Sequence, residues 1–364
     1  MSLKHKIILS RVCFIIIALM LLAAFIILFN ILSDSSNYNP PQLYNEPSVN
    51  TEAVDNSISI TEPSFSYNMI SLNFCGTITP GTLLGSESFG TFNSYLKENG
   101  PGCFLSKLAE MFKNDDYTFS ICGGVLSDNL DLFPGNDETL RYALGFTSNA
   151  QVFTKGGIDV VSATSLFIND YGEDGKKDTY KALENAGLTV IDSSTPMIIE
   201  KYGVKIAVFA TSIGAEANQL YELIDNEHDN YDYIIVYVTD TIRAYTPTTE
   251  KKLMMRTFID VGANMVIGSN GFLLQPIEEY EDGIILYSLG SLVDGLSKYL
   301  EQHSAILNVS FNIDEQKISK TNYKITPVVT YDDISPWQPE VISDVELYTR
   351  VSSFINGERE SIEQ

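Results

Sequence analysis

The chain has 364 residues, 44% of them hydrophobic, and sets 47 acidic against 23 basic side chains for a formal net charge of −24. Such a surface repels nucleic acid and anionic lipid at long range, so any polyanion would need a local basic pocket or bridging cations. Four cysteines and three histidines, with no CxxC or Cys/His spacing, exclude a zinc framework.

Val12 to Leu32 is an apolar run whose only strongly polar member is Asn30. About 20 such residues cross a bilayer as a helix. Lys4, Lys6 and Arg11 precede the run and Asp34 follows it, which orients the N-terminus to the cytoplasm and the remainder outside. A cleaved signal peptide would have a shorter apolar core and a small-x-small site, and Asn30-Ile-Leu-Ser-Asp34 is a poor one. Residues 1–33 are therefore expected as a cytoplasmic tip and uncleaved single-pass membrane anchor. Residues 34–66, rich in Ser, Asn, Pro, Glu and Thr, read as a flexible stalk.

From 67 to 340 short β-branched runs alternate with helical stretches, the pattern of one extracytoplasmic α/β domain. Strands are expected at Met69, Tyr117, Val160, Val204, Tyr233, Met265 and Ile284. Helices are expected over Asp178–Ala186, ending at Gly187, and Thr248–Val261, with Thr248 or Thr249 as N-cap. Ser304–Ile313 and Asn322–Val329 read as a hairpin packed on the sheet edge. Residues 341–364 supply a terminal helix and tail, with Val345, Val351 and Phe354 or Ile355 on one face. Of the three cysteines outside the apolar run, Cys75 and Cys122 fall in apolar strands, where buried free thiols are the default.

Four stretches keep apolar strands and glycines but end in Thr, Leu, Phe, Ser and Gly: Asn73–Thr77, Val160–Gly172, Val266–Pro276 and Ile285–Ser291. Taken in order they resemble the CapA, or poly-γ-glutamate capsule synthesis, family over roughly Met69 to Pro327. The most specific segment is Phe258-Ile-Asp-Val-Gly-Ala-Asn-Met-Val-Ile-Gly268, followed by Leu274-Gln-Pro-Ile-Glu-Glu279 and Tyr287-Ser-Leu-Gly290. A second is Asp170-Tyr-Gly-Glu-Asp-Gly175 with Ala182-Leu-Glu-Asn-Ala-Gly187. The resemblance implies a membrane-anchored extracytoplasmic protein with a calcineurin-like metallophosphatase fold. That fold is a layered α/β sandwich, here carrying a C-terminal β-hairpin and helix.

The same resemblance implies metal ligands at the strand ends, and there this chain departs from the family. The family's Gly-Asp becomes Gly76-Thr77, and its Asn-Leu-Glu aligns with Ile121-Cys122-Gly123. Its Asn-Asn-His becomes Ser165-Leu166-Phe167, with Asp170 and Gly172 kept. Its His-Trp-Gly becomes Thr239-Asp240-Thr241, its histidine-rich loop becomes Gly268-Ser269-Asn270-Gly271-Phe272, and its final Asn becomes Ser291. The expected remnant pocket is thus Thr77, Ser165, Leu166, Phe167, Asp170, Thr239, Asp240, Ser269, Asn270, Phe272 and Ser291, with Thr164 beside them.

Elementary chemistry points the same way. A two-metal site needs several carboxylate and imidazole ligands, whereas His5 precedes the anchor and His228 and His303 sit away from strand ends. The chain has no Gly-x-Ser-x-Gly elbow and no P-loop lysine. An all-oxygen Mg²⁺ or Ca²⁺ site on Asp240 and Asn270 is the remaining metal candidate, and no cofactor is expected. Asp170 is expected to cap or brace its loop. Leu166, Phe167 and Phe272 either plug the old cleft or line an apolar pocket.

The expected function is a non-catalytic CapA-like protein acting, with other polymer-synthesis proteins, in synthesis, export or assembly of an envelope polymer such as poly-γ-glutamate. A hydrolase of such a polymer with a rebuilt carboxylate site and a glycan- or peptide-binding module stand as alternatives. No nucleic-acid partner is expected.

Overall fold

A computed structural model describes residues 68–82, 91–129, 144–269, 272–296, 303–331 and 336–362. The expected anchor and stalk lie outside the described residues. Among the described residues no helix is long and apolar enough to cross a membrane.

The chain runs β1 (Asn68–Thr79), α1 (Phe92–Asn99), β2 (Tyr117–Cys122), β3 (Val125–Leu126), β4 (Leu144–Gly145), α2 (Gln151–Lys155) and β5 (Val160–Ser162). It continues through α3 (Gly172–Asn185), β6 (Thr189–Ile191), β7 (Met197–Lys201), β8 (Val204–Ser212), α4 (Ala215–Glu227), β9 (Tyr233–Thr239) and α5 (Thr249–Asp260). The last part is β10 (Met265–Ser269), β11 (Leu274–Tyr280), β12 (Gly283–Leu289), β13 (Ser291–Asp294), β14 (His303–Asp314), β15 (Lys317–Val329), β16 (Glu340–Val341) and α6 (Val345–Ile355).

β1 explains the layering. Ile70, Leu72 and Phe74 enter one core while Cys75 and Ile78 enter another, so the strand is buried on both faces. The first sheet has the order β16-β15-β14-β1-β2-β5-β6, with β13 also paired to β1. The second has the order β11-β12-β10-β9-β8-β7. In the first sheet β1, β2, β5 and β6 are parallel, and the antiparallel strands lie on the β14 side only. In the second the parallel β8, β9, β10 and β12 are flanked by antiparallel β7 and β11. The two sheets face each other across a core that includes Phe74, Phe119, Val208, Ile235 and Ile267. Phe92, Val152, Phe153 and Leu183, from α1, α2 and α3, cover the outer face of the first sheet. Leu220, Ile224, Met255 and Phe258, from α4 and α5, cover that of the second. The result is a mixed α/β sandwich of helix, sheet, sheet and helix layers.

Local chemistry sets the helix ends. Thr248 caps α5, its hydroxyl accepting from Lys251 N at 3.2 Å. α3 starts at Gly172, six residues before the expected Asp178, and carries Glu173 and Asp174 in its first turn, where the helix dipole favours carboxylates.

Two other expectations need correction. The hairpin packs at the sheet edge as expected, adding β14 and β15 beside β1, but it is longer than expected. Glu315 and Gln316, with φ of 46° and 63°, form a two-residue turn that lets β15 begin at Lys317. β14 then lies inside the sheet, between β1 and β15, because Leu307, Val309, Phe311 and Ile313 complete the inter-sheet core. In α6, Val351, Phe354 and Ile355 are buried together, but Val345 at the N-terminal end is 79% exposed.

Candidate functional site

The parallel strands of both sheets end at one mouth, the usual ligand position for parallel α/β sheets. Hydroxyl groups stitch the two sheets together there. The Ser269 hydroxyl, at the end of β10, donates to Gly290 O at 2.9 Å. Its single proton is then committed, so the Thr77 hydroxyl, 2.8 Å away, donates to Ser269 Oγ. Thr77 N–H also donates to Ser269 Oγ, at 3.1 Å. Every hydrogen-bonding valence of the serine is thereby used. Ser291 Oγ reaches back to Thr77 O at 3.3 Å, and its N–H donates to Phe272 O at 3.1 Å.

A second link joins Thr164, after β5, to Thr239, at the end of β9, with hydroxyl oxygens 2.7 Å apart. Below them Tyr237 OH donates to Cys75 O from the opposite sheet. Gly76 sits where β1 shifts register against β2. A Cβ there would lie 2.3 Å from Gly290 O, so only glycine permits this approach.

Asp240 was expected at this mouth, but its partner was not anticipated from sequence. Asp240, immediately after β9, forms an ion pair with Lys251 of α5, and both side chains are 2% exposed. Lys251 Nζ also donates to Gln275 Oε1 at 2.8 Å, and Gln275 Nε2 donates to Ala244 O at 2.7 Å. The other Asp240 oxygen accepts from Ile242 N at 2.8 Å. Burial pushes the Lys251 ammonium below its ordinary pKa, and the Asp240 carboxylate pulls it back up. Sequence spacing carried a signal for this residue: Lys251, Met254, Met255 and Phe258 share the buried stripe of one helix.

Phe167 and Phe272 close the mouth edge to face, with ring centroids 6.3 Å apart, and Arg243 lies over the Phe272 ring at 5.9 Å. Ser165 begins the Leu166–Asn169 turn that positions Phe167, its hydroxyl accepting from Phe167 N at 3.4 Å. Thr77, Ser165, Phe167, Thr239, Asp240 and Phe272 line what space remains, together with Thr79 and Asp294 from outside the expected set. That space is about 10 Å³. One ordered water needs roughly 10–15 Å³, so side chains leave room for no more than about one water.

Asp170 is not among the residues lining this space. Its Oδ2 is buried without a hydrogen-bond partner, in place of the expected bracing contact, and burial pushes its pKa up to about 7. Asn270 and the Leu166 side chain lie outside the described residues.

The arrangement does not fit a two-metal site. Among the described residues no three His, Cys, Asp or Glu side chains come together as a metal cluster. The Asp240 carboxylate, half of the expected oxygen site, is already neutralised by an ammonium and bound by a backbone N–H. His228 sits at the end of α4, its Nδ1 3.0 Å from Asp225 O. His303, expected away from strand ends, instead opens β14, with its backbone carbonyl beside Gly290. Cys75, Cys103 and Cys122 are free thiols.

The sequence pattern of the family described as "Bacterial capsule synthesis protein PGA_cap" matches residues 88–296, a span that holds every site residue named above except those on β1. The "Capsule biosynthesis protein CapA" of Bacillus anthracis is 26% identical over 168 residues, 38% of this chain and 41% of that protein. The "PGA biosynthesis protein CapA" of Bacillus subtilis (strain 168) is 22% identical over 293 residues, 73% of each chain. The alignment therefore spans less than half of the first relative and about three quarters of the second. Among solved structures, a hypothetical protein from Thermus thermophilus aligns with 70% of this chain and 98% of its own, at 12% identity and a TM-score of 0.43. With more than half of its length matched by the family pattern, the chain belongs to the bacterial capsule synthesis PGA_cap family.

Proposed function

We propose that this chain is a non-catalytic member of its family, built on a metallophosphatase-like sandwich whose reaction cleft has been filled. It is held at the cell membrane by the apolar run at 12–32, with the sandwich outside the cell. There it serves synthesis, export or assembly of an anionic envelope polymer such as poly-γ-glutamate, beside other proteins of that process. The names of the two relatives support the polymer setting. The observation that carries the non-catalytic reading is the strand-end mouth, where Lys251 neutralises Asp240 and about 10 Å³ of space is left.

Metal analysis of the purified full-length protein, with a phosphoesterase and peptidase panel, tests the reading. The expected result is neither stoichiometric transition metal nor turnover, together with loss of surface polymer when the gene is deleted. Stoichiometric metal accompanied by turnover overturns it.

One observation favours a second reading, a hydrolase with a rebuilt carboxylate site. Asp170, with a pKa of about 7 and an uncommitted oxygen, has the protonation behaviour of a general acid. On that reading Asp170→Asn abolishes a polymer-cleaving activity without lowering stability.

A further inference from the structure

Helices cover the outer face of the first sheet only in part. Ile306 and Val328 lie beneath the helical layer, but toward the hairpin the face opens. Leu307, Val309, Phe311 and Ile313 point into the inter-sheet core, so Asn308, Ser310 and Asn312 point outward. Register sets them beside three residues of β15, in the cross-strand pairs Asn308–Lys324, Ser310–Asn322 and Asn312–Lys320. Lys320 and Lys324 are exposed and the other four side chains are half-buried.

Asn308 is tied to β1, donating to Ser71 Oγ at 2.9 Å and Asn73 Oδ1 at 3.0 Å. The other five side chains make no hydrogen bond or ion pair among the described residues. Two carboxylates near the face are already engaged: Asp115 accepts from Asn73 Nδ2 at 2.7 Å and Asp116 pairs with Lys201. Asp314 is exposed at the hairpin turn, beyond the Asn312–Lys320 pair. A chain of net charge −24 therefore presents one patch of amide, hydroxyl and ammonium donors with two uncommitted positive charges.

Lysines on an edge strand deter pairing with other chains, which by itself accounts for Lys320 and Lys324. It does not account for the uncovered Asn and Ser row on β14, an interior strand.

We propose that this open β14–β15 face is a docking surface for an extended chain bearing repeated carboxylates. Charge complementarity selects an acidic partner, and the free amides and hydroxyl supply donors for its oxygens. Lys320 and Lys324 are four residues apart, about 13 Å along the strand. A chain with repeated carboxylates engages both at once, whereas a single small acid engages one. The proposal takes its extracytoplasmic polymer setting from the function proposed above, but uses a surface remote from the strand-end mouth.

Binding of fluorescent long-chain poly-L-glutamate to the full-length protein in detergent micelles, at low salt, tests the proposal. Free glutamate, dextran and phosphatidylglycerol vesicles serve as comparisons. The polymer is expected to bind and to weaken with added salt, and free glutamate is expected to compete poorly. Lys320→Ala/Lys324→Ala is expected to lower affinity about tenfold, because an exposed ion pair contributes a few-fold at most. Asn312→Ala/Asn322→Ala, which leaves the edge lysines in place, is expected to weaken binding by a smaller factor and guards against aggregation of the lysine variant. Unchanged affinity in both double variants, equal binding of dextran, or preference of the same lysines for the vesicles overturns the proposal. Shortening of the polymer during incubation would overturn the non-catalytic reading while leaving the binding result intact.

Discussion

Asp240 and Lys251 form an ion pair at the end of β9 with both side chains 2% exposed. The lysine places a fixed positive charge among the strand ends of a fold whose relatives, by the resemblance, carry metal ligands there. A protein-supplied cation of this kind needs no bound ion, but it commits the carboxylate. Gln275 takes one further ammonium N–H and the Ile242 N–H occupies the second carboxylate oxygen, which offsets part of the cost of desolvating two charges.

Lys251→Met should therefore lower unfolding free energy by about 3–5 kcal/mol, since it leaves a carboxylate buried without its partner. Adding Asp240→Asn, which retains the acceptor for Ile242 N–H, should restore most of that loss. Urea unfolding of the two variants measures both effects. Equal stability of Lys251→Met and wild type would show that the pair is not buried in solution.

Ser269→Ala removes the acceptor shared by the Thr77 hydroxyl and the Thr77 N–H. The hydroxyl is left without a partner, while the N–H retains Gly290 O at 3.1 Å. The expected loss is about 1–3 kcal/mol, the usual effect of leaving a buried polar group unsatisfied. A change within a few tenths of a kcal/mol would mean that a water replaces the serine oxygen.

Asp170 should make stability depend on pH. Burial raises its pKa from 3.8 to about 7. Between those values the folded chain keeps a proton that the unfolded chain has lost. Its contribution is thus fully present below about pH 4 and is lost as pH rises through about 7. Asp170→Asn fixes the neutral form, so its Tm should match wild type near pH 4 and exceed it increasingly up to pH 8. Thermal melts across that range check this, and a pH-independent difference would contradict it.

Thiol labelling should separate the cysteines. Cys75 and Cys122 are fully buried, and burial pushes Cys122 up to about 12 and Cys75 higher still. Cys103 is only partly buried. At pH 8 a thiol reagent should modify Cys103 in the folded protein and reach Cys75 and Cys122 only after denaturation, with mass spectrometry locating the adducts. Rapid native labelling of Cys122 would contradict the closed packing around β2.

The strand-end residues show how far one-dimensional information reaches. Thr77, Ser165, Phe167, Thr239, Asp240 and Phe272 were each readable as positions at the ends of apolar strands, and the tertiary structure brings them together. Thr79 and Asp294 were not readable, because β13 joins β1 through a pairing distant in sequence. Asp170 was readable as part of a familiar loop, but its absence from the lining of the mouth was not.

The sequence by itself determined that apolar strands alternate with helices, that Thr248 starts a helix, and that the strand ends at Thr77, Thr239, Ser269 and Ser291 carry hydroxyls in place of metal-ligating His or carboxylate side chains. Those properties are local: side-chain branching, capping hydroxyls and residue identity act within a few positions along the chain. Whether the cleft is open or filled, and what compensates Asp240, depended on groups brought together from separate elements. Lys251 announces only that its helix face is buried; Asp240 and Gln275 come to it from β9 and β11 of the second sheet. The same holds for the hairpin, whose alternation marks two strands but cannot say that β14 pairs with β1 and leaves a polar face uncovered. Burial and hydrogen-bond satisfaction are properties of the assembled layers, and only the folded chain decides them.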